Sequence, residues 1–162
     1  MIWIVLLLFA QTASSQTQTE RGEALFFRAE GGCGGCHALK GKGTAVGPDL
    51  TGIGHLTPQA IAMAVHSSVT QYVELIKPKG GDSFPGFTAS KDTNGITVFD
   101  LSKNPPEKKV LAKGDYTTAA NDKWKHPPSQ MKIDNKDLAD VIAYIHFAAT
   151  GSRKAVDPDE VQ

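Results

Sequence analysis

Two cysteines, held apart by two glycines and followed at once by a histidine, constrain this chain more than anything else in its 162 residues. The stretch is Cys33-Gly34-Gly35-Cys36-His37, and these are the only two cysteines present. A disulfide between them would close a tiny loop and add little stability. A dithiol redox centre is a second reading. It normally follows a strand at the start of a helix in a thioredoxin-like βαβ unit, and no strand pattern precedes Gly31.

The third reading is C-x-x-C-H as the signature of covalent haem attachment. Cys33 and Cys36 then add across the two vinyl groups of the porphyrin, and His37 lies under the iron as proximal ligand. Structural zinc is disfavoured, because such a site needs four ligands and there is no second cysteine pair. Gly31, Gly32, Gly34 and Gly35 let the backbone approach a flat macrocycle without Cβ clashes. The segment "VGPDL" follows soon after. A ligating histidine usually donates its other ring N–H to a carbonyl, and Pro48, with its locked φ, is a stiff place for that carbonyl. Far downstream, "HPPSQMKI" offers Met131 in a loop stiffened by Pro127 and Pro128, directly before the last helix.

The segments "RGEALFFRAEGGCGGCH", "VGPDLTGIG", "PPSQM" and "DLADVIAYIHF", in that order, resemble the class I cytochromes c. They cover both ends of the chain but not its middle. The resemblance implies a mainly α fold, a helical shell around one covalent haem c, with His37 and Met131 as axial ligands and electron transfer as the activity. A looser similarity is to cytochrome modules that accompany exported quinoprotein and sugar dehydrogenases. Met63 and His66 are weaker candidate ligands, read as a core gap-filler and a polar-face residue. His126 is the rival to Met131, since imidazole binds ferric iron more strongly. Against it, Pro127 restrains His126 to extended backbone.

The apolar run Ile2–Ala10, followed by small and polar residues with Ala13 and Ser15 at suitable spacing, reads as a signal peptide over residues 1–15. The run is too short to span a bilayer, which takes about 20 apolar residues, so the mature chain carries no expected transmembrane span. A periplasmic or otherwise exported location is expected. Lysine plus arginine equals aspartate plus glutamate, 17 each, so no global field points to nucleic acid. Between Lys77 and Lys136, however, 11 lysines face 7 acids. A basic face near a haem edge would steer an acidic redox partner.

The cytochrome c domain is expected over 16–150. Its first helix starts at Thr17 or Thr19, with Thr17 and Glu20 as a capping box, and runs to about Ala29. Gly22 and Phe26 share one face. A middle helix starts at Thr57-Pro58. The last helix has Asp134 as N-cap, an apolar stripe of Leu138, Val141, Ile142, Ile145 and Ala149, and Gly151 at its C-terminal end. Tyr144 is expected to meet the first helix near Gly22. Residues 80–125 read as a small β-rich insertion. One hairpin, "GFTAS" and "GITVFDL", turns about "KDTN". A second, in "KKVLAKGDYTTAA", turns about Lys113-Gly114. Trp124 is a candidate haem contact through its indole N–H. Residues 151–162 read as a flexible tail. The expected function is a monohaem carrier of single electrons between a dehydrogenase or reductase and an oxidase or another cytochrome, with no catalytic residues of its own. The alternatives are a haem sensor or small haem enzyme with a labile sixth ligand, and a non-haem dithiol oxidoreductase.

Overall fold

The computed structural model describes residues 16–67, 72–121, 123–126 and 133–162. The expected signal segment and Met131 lie outside the described residues. In chain order the elements are α1 (Gln18–Phe26), β1 (Ala38–Leu39), β2 (Lys42–Gly43), α2 (Pro58–Ser67), β3 (Val73–Pro78), β4 (Phe84–Lys91), β5 (Gly95–Asp100), β6 (Glu107–Ala112), β7 (Tyr116–Ala120) and α3 (Asn135–Thr150).

The expectation of a mainly α fold does not hold. Among the described residues about 33% are helix and 26% strand, with sheets of two and five strands. The cause lies between α2 and α3. The expected hairpin, β4 with β5, is present, paired from Gly86↔Asp100 to Lys91↔Ile96. It is extended on one side by β3, which lies before the expected insertion at 80–125, and on the other by β6. The second expected hairpin is not one. β6 pairs with β5, whereas β7 pairs with β3, so they occupy opposite edges in the order β6-β5-β4-β3-β7.

All these pairings are antiparallel, which makes β6 and β7 run in the same direction. Only Lys113–Asp115 separates them. Ala112 and Tyr116 are then at most about 14 Å apart along the chain. The edges of a flat five-stranded sheet would lie roughly 19 Å apart. The sheet therefore curls until its edges meet at this crossing, and β6 and β7 act as one kinked strand serving both. Backbone bonds from Lys113 N–H to the Asn94 carbonyl (2.7 Å) and from Lys79 N–H to the Asp115 carbonyl (2.7 Å) fasten the crossing to both sides. Ile76, Phe84, Ile96 and Val98 fill the inside of this barrel-like sheet, with Leu111 and Tyr116 against them.

The helical part is built on α3. Asp134 caps it by accepting from the Asp137 N–H (2.7 Å), and Gly151 closes it in the left-handed conformation. All eight residues from Leu138 to Ile145 are buried, because α3 has two packed faces. Leu138, Ala139, Ile142 and Ala143 meet Ile61 and Ala62 of α2. Val141, Tyr144 and Ile145 meet Phe26 of α1 and Leu39. Thr17 and Glu20 form the expected capping box, but α1 stops at Phe26 rather than near Ala29. A Cβ on Gly22 would collide with the Asp140 carbonyl oxygen and sit 2.8 Å from Tyr144 Cβ, so only glycine allows α1 and α3 to cross here. Beside the crossing, the buried Asp140 takes two bonds from Arg21, at 2.7 and 2.9 Å, and one from Lys136 at 3.2 Å.

Residues 151–162 do not hang free as expected. Val156 and Val161 join the core under α2 and α3. The Gln18 side-chain amide brackets Val156, donating to its carbonyl (2.8 Å) and accepting from its N–H (2.9 Å). Two isolated valines in a charged stretch have no periodicity that would announce this. Met63 is exposed rather than a core gap-filler, and Ile61 and Ala62 fill that role.

Candidate metal centre

After α1 the chain makes one 3-10 turn over Cys33–Gly35, closed by the Cys36 N–H on the Cys33 carbonyl at 3.1 Å. Residues three apart eclipse one another in this geometry, so the two thiols leave the backbone on the same side. His37 follows, its N–H on the same Cys33 carbonyl at 2.8 Å. Its backbone is thus fixed relative to both cysteines. The cysteines are not joined to each other.

The glycines around the motif do more varied work than expected. A Cβ on Gly34 would strike the Phe27 ring, and one on Gly32 would strike the Arg28 carbonyl. These two let the turn pack against the end of α1. The cradle for the histidine is Gly47 instead, where a Cβ would lie 2.8 Å from His37 Nδ1 and 3.1 Å from Nε2. The loop carrying Gly47 is stitched to the motif by the N–H groups of Val46 (3.0 Å) and Gly47 (2.6 Å) on the Cys36 carbonyl, and by Thr44 N–H on the Gly34 carbonyl (3.0 Å). Held there, the Pro48 carbonyl oxygen accepts from His37 Nδ1 at 2.7 Å. That bond directs the lone pair of a neutral ring to Nε2.

Burial pushes the His37 ring below the ordinary histidine range, with the Pro48 bond acting the other way. The neutral form, which can ligate a metal, is thereby favoured. Burial pushes both thiols up, Cys33 against a smaller opposing pull from its own backbone and Arg28. A dithiol redox centre needs the reverse, a thiol lowered toward neutrality, and α1 rather than a strand precedes the motif.

His126 is brought to the same place from 89 positions along the chain. Its ring centre lies 5.8 Å from that of His37, with the planes at 68°. His126 Nδ1 bonds the Val65 carbonyl at 3.3 Å, in the last turn of α2, where helix carbonyls lack intrahelical partners. Burial lowers the His126 pKa, opposed by the Val65 bond and reinforced by His37. Trp124, half-buried, has its ring 6.4 Å from that of His126. The structure thus gathers Cys33, Cys36, His37, Pro48, His126 and Trp124. His66 is exposed on α2. His146, on α3, is partly exposed, with Nε2 buried and without a hydrogen-bond partner.

These residues fit a covalently held haem. Two unpaired thiols leave one side of a single turn, and a neutral imidazole is oriented by a carbonyl beside them. Among the described residues no group of three or more His, Cys, Asp or Glu side chains is arranged to hold a bare metal ion, and no helix is long and apolar enough to cross a membrane. The Val65 carbonyl had no sequence signal, since its partner lies 61 residues away.

Residues 19–97 match the family model described as Cytochrome c. No curated protein matches the chain.

Proposed function

The chain carries a c-type cytochrome domain with covalently bound haem c and its iron, and from this we propose that it is an exported carrier of single electrons between a dehydrogenase or reductase and a terminal acceptor. The observation that carries the reading is the one-turn placement of Cys33, Cys36 and His37 with His37 Nδ1 tied to Pro48. Bound haem iron supplies a one-electron redox couple. The protein's own residues do the rest. The two thiols fix the group in place, His37 presents Nε2, and the Pro48 bond keeps that ring from rotating. Gly47 lets the loop close over the ring. Electron exchange asks no proton transfer or substrate pocket of these side chains, in keeping with a carrier rather than an enzyme.

Export is supported by the composition of residues 1–15, and residues 16–150 are taken as the cytochrome domain, with the barrel-like sheet as an insertion. We read Trp124, whose ring lies 6.4 Å from that of His126, as a contact to the haem periphery. The lysine excess between Lys77 and Lys136 supports an acidic redox partner, by long-range steering.

The test is to produce the chain in a host that matures c-type cytochromes. A pyridine haemochrome spectrum should give one haem per chain, and the Cys33→Ala/Cys36→Ala variant should retain none covalently. An anaerobic titration should show a single one-electron transition, and the ferrous protein should not take up carbon monoxide. Ready carbon monoxide binding would overturn the carrier reading in favour of a sensor or small haem enzyme.

A further inference from the structure

The fold brings the His37 and His126 rings together, their centres 5.8 Å apart and their planes at 68°. Bonds of about 2 Å from a metal to each of two opposed imidazole nitrogens set the ring centres roughly 6 Å apart, and the observed separation is 5.8 Å. The two rings are held in parallel ways by different parts of the fold. His37 Nδ1 is tied to the carbonyl of Pro48 in the loop after the cysteine motif. His126 Nδ1 is tied to the carbonyl of Val65 at the end of α2. A ligating histidine characteristically donates its second nitrogen to such a carbonyl, which fixes ring direction and tautomer. Trp124 flanks His126, the ring centres 6.4 Å apart.

We propose that His126 supplies the second axial ligand, so that the iron is held between two imidazoles. This rests on the bound haem above and departs from the thioether ligand, Met131, implied by the sequence resemblance. The restraint that Pro127 places on His126 does not keep the ring away from His37. The functional consequence is direct. A methionine ligand raises the potential of a c-type haem, so a second imidazole makes this a carrier for the lower-potential end of an electron-transfer chain.

The experiment uses the matured holoprotein and its His126→Ala, His126→Met and Met131→Ala variants. The pyridine haemochrome replaces both axial ligands, so it reports haem attachment separately from the identity of the sixth ligand. The unmutated ferric protein should be low-spin and lack the weak sulfur-to-iron band at the red end of the spectrum. His126→Ala should become high-spin, and added imidazole should restore the low-spin spectrum. His126→Met, should the alanine variant fail to fold, should gain the sulfur band and a higher potential. Met131→Ala should leave spectrum and potential unchanged. A sulfur-to-iron band in the unmutated protein, lost in Met131→Ala, would overturn the proposal, as would an unaltered low-spin spectrum in His126→Ala.

Discussion

The helical part and the barrel-like sheet are stabilised in opposite ways. The sheet is contiguous, from Val73 to Ala120, and carries its own core of Ile76, Phe84, Ile96 and Val98. The helical part is split by it. α1 and α3 meet only after the intervening chain has been spanned, and Arg21 and Asp140 are 119 positions apart when they bond. Its core clusters share α3, one including Leu39 just beyond the haem motif and the other the segment after Gly151. The half that carries the chemistry is therefore assembled from distant pieces. The half expected as a small β-rich insertion is the self-contained one. The two approach each other at the motif, where Asn104 Oδ1, in the loop between β5 and β6, lies 3.9 Å from where a Cβ on Gly35 would sit.

The sharpest way to break this contrast is at the helix crossing. Gly22→Val should cost about 4 kcal/mol, above the usual range for overpacking, because the clash is with backbone rather than a movable side chain. Urea unfolding followed at the haem absorption should shift to lower denaturant, and an unmoved midpoint would show that α1 and α3 do not cross closely. In the sheet, the fully buried Ile76 is the matching probe. Ile76→Ala should cost about 3 kcal/mol through lost burial and a cavity. Tertiary signals from the sheet should melt earlier while the haem spectrum and potential stay as they were. A shifted potential would show the sheet to be coupled to the metal centre.

The smallest effect is electrostatic and separates the halves by pH. Burial raises the Asp140 carboxyl and the bonds from Arg21 and Lys136 more than offset it, leaving it below the ordinary carboxylate range. In the sheet Asp100 is also lowered, burial being outweighed by Lys109 at 2.8 Å and by Ser102. A carboxyl whose folded pKa lies below its unfolded one, near 3.9, adds stability above that value. The gain is lost as pH falls through the folded pKa. Asp140→Asn and Asp100→Asn should each cost about 2 kcal/mol at neutral pH and flatten the acid side of the stability profile. Haem-monitored melts should report the first and sheet-monitored melts the second. A profile as steep as that of the unmutated protein would remove the carboxylate concerned as the cause.

Much of the metal centre was legible because its signals are local or act at fixed distance. Cysteine spacing, the adjoining histidine and Pro48 eleven residues on all point to the contacts found. The caps Thr17, Asp134 and Gly151 were equally legible. The sheet was only half legible. A turn such as Asp92–Asn94 marks a hairpin, but no local pattern states that Tyr116–Ala120 will pair with Val73–Pro78 rather than with the strand just before it. That choice is made by curvature, a property of five strands together. Val73–Pro78 also hides its character, since Leu75 is exposed and two of its six residues, Glu74 and Lys77, are charged. The meeting of His126 with His37 depends on the end of α2, which no spacing in the sequence encodes.

The kinked strand has a bearing on how the sheet comes apart. In an open sheet the outermost strands fray first and their amides exchange with solvent sooner than the rest. Here the two outer pairings belong to one continuous stretch, Glu107–Ala120, hinged on three residues. Peeling Glu107–Ala112 from Gly95–Asp100 pulls at Tyr116–Ala120 on Val73–Pro78, and the reverse. Amide protons on β3 and β5, which are not neighbours in the sheet, are thereby linked into one cooperative opening unit with no separate first step at an edge.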